Sequence, residues 1–186
     1  MSRFKNGLSE IKIRGYFSDG DLKEDYTISA LWEYHINKAR HNIETAALLV
    51  EASTNPEAKR QLKTAADYTG YDWSISCSYY AMYHAAVSAL ASIGIKARTH
   101  ESLIEGLEFY FVRSQKSVQS GHIKQIQSAK RLDEKYVNRM RAARSRRNTA
   151  QYKADAEIAR KDAEKTFRSA VDFVNATETL LKQTET

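Results

Sequence analysis

At 186 residues and 21.2 kDa, the chain suits one domain with short extensions and is too short for a second full one. A hydrophobic share of 42%, with seven glycines and one proline, favours ordered helices over a turn-rich sandwich. Cys77 is the only cysteine, which excludes an internal disulfide and a multi-cysteine zinc site, and the formal net charge of +6 directs attention to polyanionic partners.

Residues 1–25 mix Gly7, Gly15 and Gly20 with short apolar pieces and show no sustained period. They are expected to be an extension that packs on the body or on a partner, with 26–186 as the helical domain. From Ile28 the residues Leu31, Trp32, Ile36, Ala39, Ile43, Ala46, Ala47 and Val50 recur at three- and four-residue steps, the stripe of an amphipathic helix. Thr27 is its predicted N-cap, and the segment from Ser53 to Pro56 ends it. A polar segment from Glu57 to Gly70 has room for a short helix. Tyr71 to Ile93 is rich in aromatic and small residues on more than one face, so this helix should be central or packed against another subunit, with Cys77 as part of its apolar surface. Gly94 follows as a C-cap.

Thr99 opens a third helix through Phe111, and Arg113 to Gly121 should be a loop. A fourth helix is predicted from about His122 to Tyr152, with Ile123, Ile126, Tyr136, Val137 and Met140 facing the core. A fifth runs from Asp155 to Leu181. The excess charge belongs to the fourth. Between Lys130 and Lys153 nine basic residues stand against Asp133 and Glu134, a local sum of +7, so the rest of the chain sums to −1. Cations this close together present a phosphate with several charges within one Debye length, roughly 8 Å at physiological salt. Arg139, Arg141, Arg144 and Arg146 are therefore the predicted nucleic-acid-binding residues. Basic side chains late in a helix also offset its dipole, which accounts for part of the clustering without any ligand.

The five histidines are spread over several predicted elements, with no HExxH and no His/Cys cluster, so no metal site is expected. Neither GxGxxG nor a P-loop is present, and no cofactor is expected. With no apolar run long enough to span a bilayer and no signal peptide, the expectation is a cytoplasmic protein without membrane association. Two segments remain that could carry chemistry. SYYAMYHAA, Ser78 to Ala86, crowds Tyr79, Tyr80, Tyr83 and His84 together; such a run usually fills a core or a subunit interface, and Tyr80 and His84 are its auxiliary site candidates. RSRRNTAQY, Arg144 to Tyr152, is a guanidinium cluster followed by Asn148 and Tyr152.

Together these segments resemble the HEPN superfamily, in particular its small bacterial and archaeal proteins with a YYAMFHAA-like helix. The resemblance spans Leu31 to Leu181 and includes SYYAMYHAAVSALASIGIKARTHESLI, with His100 opening the next helix, and RNTAQY, Arg147 to Tyr152. It implies an all-α, up-and-down bundle of four to five helices. It also implies a homodimer with a basic intersubunit groove for RNA or nucleotide, and a possible nucleotidyltransferase-like antitoxin as partner. Many members are metal-independent endoribonucleases of toxin or defence type, with an arginine, often a following asparagine, and a histidine a few residues on.

Arg147 and Asn148 match the first half of that motif, whereas Tyr152 stands where the histidine would be. In the catalytic reading implied by the resemblance, Arg147 stabilises phosphorane-like charge, Asn148 orients the phosphate and Tyr152 moves a proton. A phenol with a reference pKa of about 10 is a poor base at neutral pH, and residues five apart on a regular helix point about 140° apart. His84 and His100 are the other acid–base candidates, although His100 could simply cap its helix. The competing readings are a non-catalytic HEPN binding module and a structural dimeric bundle.

Overall fold

The computed structural model describes residues 2–113, 131–150 and 156–182. Helix α1 (Ser2–Ser18) leads into strand β1 (Leu22–Glu24) and a 3₁₀ turn (Tyr26–Leu31). Then come α2 (Trp32–Thr54), α3 (Pro56–Gln61), α4 (Tyr71–Ser92), β2 (Ile95–Ala97), α5 (His100–Leu107) with a π-type turn (Glu108–Arg113), α6 (Glu134–Ala150) and α7 (Ala156–Lys182). The architecture is the all-α bundle expected.

Helix α4 is the axis of the fold, packing chiefly on α2 and α7 and also on α6. Its small residues explain the closeness of α2. Ala39 and Ala46 of α2 and Ala81, Ala85 and Ala89 of α4 are fully buried, which lets the backbones approach. Two α4 hydroxyls then reach across to α2 carbonyls: Ser74 Oγ donates to Ala46 O at 3.1 Å and Ser88 Oγ to Trp32 O at 2.7 Å. These bonds satisfy groups that would otherwise be costly to bury. Tyr79, Met82 and Leu90 of α4 join Leu103 and Leu107 of α5, Val137 and Met140 of α6, and Phe173 and Leu181 of α7 in one core.

The N-terminal segment, expected to pack on the body or on a partner, packs on the body and has a regular structure that its sequence pattern did not display. Residues 2–18 are helical, and Ile13 is buried with Tyr16 and Phe17 packed against the core. Leu22, fully buried, pairs in an antiparallel two-stranded ribbon with register Leu22↔Ala97, Lys23↔Lys96 and Glu24↔Ile95. Ile13, Tyr16, Phe17 and Leu22 thus belong to the same core as α4 and α5. Asp25, rather than Thr27, is the N-cap: its carboxylate accepts from the Thr27 amide at 3.1 Å, and what it caps is the 3₁₀ turn ahead of α2.

Asn55 caps α3 with Pro56 in its first turn, a position where a missing amide hydrogen costs nothing. Gly94 closes α4 at φ 72°, with Tyr26 occupying the space a Cβ would need. Of the loop predicted from Arg113 to Gly121, Arg113 is the last residue of the π-type turn and the rest lies outside the described residues, as do the first turns of the predicted fourth helix, including His122, Ile123 and Ile126; within the described residues that helix begins at Glu134.

Candidate functional site

The turn through Gly94 and the β ribbon return the chain so that α5 starts beside the middle of α4. Thr99 caps α5 through a reciprocal pair with Ser102: Thr99 Oγ1 accepts from the Ser102 amide at 3.1 Å, and Ser102 Oγ accepts from the Thr99 amide at 3.2 Å. Because Thr99 does the capping, His100 is free to turn its side chain toward α4. Its Nδ1 lies 2.5 Å from the Tyr79 hydroxyl, and its ring packs against Tyr83 with centroids 4.6 Å apart. Which of the two atoms donates depends on the histidine tautomer.

Arg147, near the end of α6, reaches the same place. Its guanidinium carbon sits 5.2 Å from the centre of the Tyr79 ring and 5.5 Å from that of Tyr80, and Nη1 donates to the Tyr80 hydroxyl at 3.2 Å. The rings attract the cation through their quadrupoles without neutralising it. Burial pushes the Tyr79 phenol up to about 12 against the pull of Arg144 and Arg147, so it stays protonated. Burial, then Arg147 and Arg144, lower the His100 pKa below the ordinary histidine value of 6.5. The free protein at neutral pH thus holds a neutral imidazole within one tyrosine's width of an arginine.

The other arginines of α6 are differently engaged. Arg139 donates to Asp172 at 2.7 Å, Arg144 to Glu101 at 2.5 Å and Arg146 to Asp162 at 3.2 Å. Arg141 donates to Glu105 at 2.8 Å and to Glu108 at 2.5 Å; Glu108 is buried and also meets Arg113. Lys12 of α1 joins Glu105 at 3.2 Å, so this network fastens α1, α5 and α6 together. Burial alone would raise the Glu105 pKa, but the bonds from Arg141 and Lys12 outweigh it and hold the carboxyl below its ordinary range. Among the described residues, Arg147 is the member of the Arg139 to Arg147 cluster that meets no carboxylate.

Asn148 is exposed next to Arg147, and Tyr80 is 39% exposed, so the site is an open shelf on which a base or phosphate could rest. Tyr152 lies outside the described residues. His84 points to a different neighbour: its Nδ1 is 3.4 Å from Nδ1 of His35 on α2, and the two rings stack. Burial, with Lys38 and His35, lowers the His84 pKa to about 4, so the pair is neutral at pH 7. Tyr83 lies between His84 and His100. Tyr79 and Tyr83, four residues apart on one face of α4, form the floor of the site; they belong to the crowded SYYAMYHAA run, of which only Tyr80 and His84 were expected as site residues. Their signal was the tyrosine spacing combined with a histidine just past the next turn.

Among the described residues no three His, Cys, Asp or Glu side chains form a group that could hold a metal ion, and no helix is long and apolar enough to cross a membrane. A comparison with protein-family models matches the HEPN domain over residues 32–180. Searches of curated proteins and of solved structures find no match.

Proposed function

The chain belongs to the HEPN domain family, and from that premise we propose that it binds RNA, with Arg147 as the phosphate seat and Asn148 and Tyr80 beside it. The observation that carries this reading is the environment of Arg147: a guanidinium held by two tyrosine rings with no carboxylate partner among the described residues. Its charge remains available to an anion, and the half-exposed Tyr80 ring offers a face on which a base can stack.

A second reading, metal-independent cleavage of the bound strand, is favoured by His100. A neutral imidazole beside Arg147 is suited to take the proton of a ribose 2′-hydroxyl. The 2′-oxygen then bonds to the adjacent phosphorus, Arg147 stabilises the charge gathering on the phosphoryl oxygens, and the bond from phosphorus to the 5′-oxygen breaks. Water protonates the departing 5′-oxygen. The products are a 2′,3′-cyclic phosphate and a 5′-hydroxyl end. His100 here takes the role that the resemblance assigned to Tyr152.

Homodimerisation belongs to the same proposal. Helix α4 is buried on most of its circumference, yet its remaining face carries Trp73, 59% exposed, with Cys77 one turn on. An exposed indole of this kind suits an isologous contact with a second copy, which would bring two Arg147 shelves together while leaving the Tyr80 rings open.

The test is incubation of the native protein, Arg147→Ala and His100→Ala with mixed RNA in EDTA, alongside binding measurements. Salt-sensitive binding that Arg147→Ala weakens by tenfold or more supports the phosphate seat. Cyclic-phosphate fragments that vanish with either variant support cleavage. Binding without fragments leaves the binding module, and absence of both sinks the proposal.

A further inference from the structure

Helix α6 carries a second basic surface on a different side from the tyrosines. Arg139 and Arg146 are seven residues apart, close to two full turns, so they share a face. That face meets α7, where Lys165 and Arg168 lie one turn apart. These four cations, with Ser169 and Asp172, line a trough of about 530 Å³ between the two helices. Asp172 receives Arg139 at 2.7 Å, and Asp162 receives Arg146 at 3.2 Å. Lys165 and Arg168 are exposed and, among the described residues, form no ion pair. Nearby Glu164 is bonded to Arg160 at 2.8 Å.

We infer that this trough is a second phosphate-binding surface, along which an RNA strand seated at Arg147 continues past Arg146 to Lys165 and Arg168, the two lining cations that no carboxylate engages among the described residues. The inference rests on the RNA reading of the Arg147 site. Continuity comes from the chain itself, since Arg146 lines the trough and its sequence neighbour Arg147 faces Tyr79 and Tyr80. The two surfaces differ in chemistry as a strand would require. The Arg147 shelf has rings for a base. The trough has no aromatic residue in its lining and is open to solvent, so it cannot enclose a nucleobase, but it can hold successive phosphates without regard to sequence.

The test compares the native protein with the double variant Lys165→Ala/Arg168→Ala across a salt series, using a single-stranded oligoribonucleotide long enough to reach both surfaces and a trinucleotide that fills only the shelf. For the long RNA, the slope of log affinity against log salt should fall by about 1.4 in the variant, roughly 0.7 for each lost phosphate contact. Trinucleotide affinity should be unchanged. Both replaced side chains are exposed, so circular dichroism should register no change in fold. An unchanged slope for the long RNA overturns the trough and leaves the Arg147 reading standing. Loss of trinucleotide binding would place the two cations in the Arg147 seat and overturn a separate surface. A native protein that binds neither RNA overturns both.

Discussion

A guanidinium next to a carboxylate and one next to a phenol ring are the same side chain in different electrostatic roles. Arg139, Arg141, Arg144 and Arg146 each spend hydrogen bonds on acidic residues, whereas Arg147 rests on rings. For His100 burial, and after it the neighbouring arginines, lower the pKa, so the protonated form is lost at a lower pH than in an ordinary histidine. If His100 is the base, kcat/KM rises with pH along a limb centred below 6.5 and is level by neutrality, because the limb reports the free enzyme. A pH–rate profile in EDTA reads this directly, and a limb centred near 10 would instead indicate a tyrosine base. Sequence alone exposed Arg147 and Asn148, because their order matches a known motif. The partnership of Tyr79 with His100 was not legible there, since 21 positions and a glycine turn separate them.

Helix α6 shows how an element's charge misleads when counted without its neighbours. The local excess of basic residues was plain in the sequence, but the carboxylates that meet it come from α5 and α7 and could be placed only by tertiary structure. Arg141 is the clearest case, since it balances the buried Glu108. Arg141→Ala should destabilise the fold by about 2–3 kcal/mol, because an acid left in the interior loses one of its two cations. Urea denaturation checks this, and a loss well under 1 kcal/mol would contradict it. Helix α4 was legible from its aromatic and alanine pattern and from Gly94. Helix α1 was not, because Gly7 and Gly15 interrupt any stripe and its docking through Ile13, Tyr16 and Phe17 supplies what local propensity does not. The β ribbon was equally hidden, since strands of three residues are too short to display an alternation.

At the scale of the whole molecule the exposed aromatic face of α4 is the feature most in need of a partner. Sedimentation equilibrium at micromolar concentration should give twice the 21.2 kDa chain mass, and Trp73→Glu should shift it to the monomer with far-ultraviolet dichroism unchanged. A native chain that sediments as a monomer would remove the dimer from the proposal. The position of α4 has another consequence, for the order of events as the chain is made. Its buried side is completed by α7, the final helix described, and Arg40 of α2 finds Glu178 only across 138 positions. Loop closure of that span has to precede the reward of the contact. A growing chain therefore carries its most apolar helix half-covered until α7 has been synthesised, and the cooperative bundle is not available to it before then.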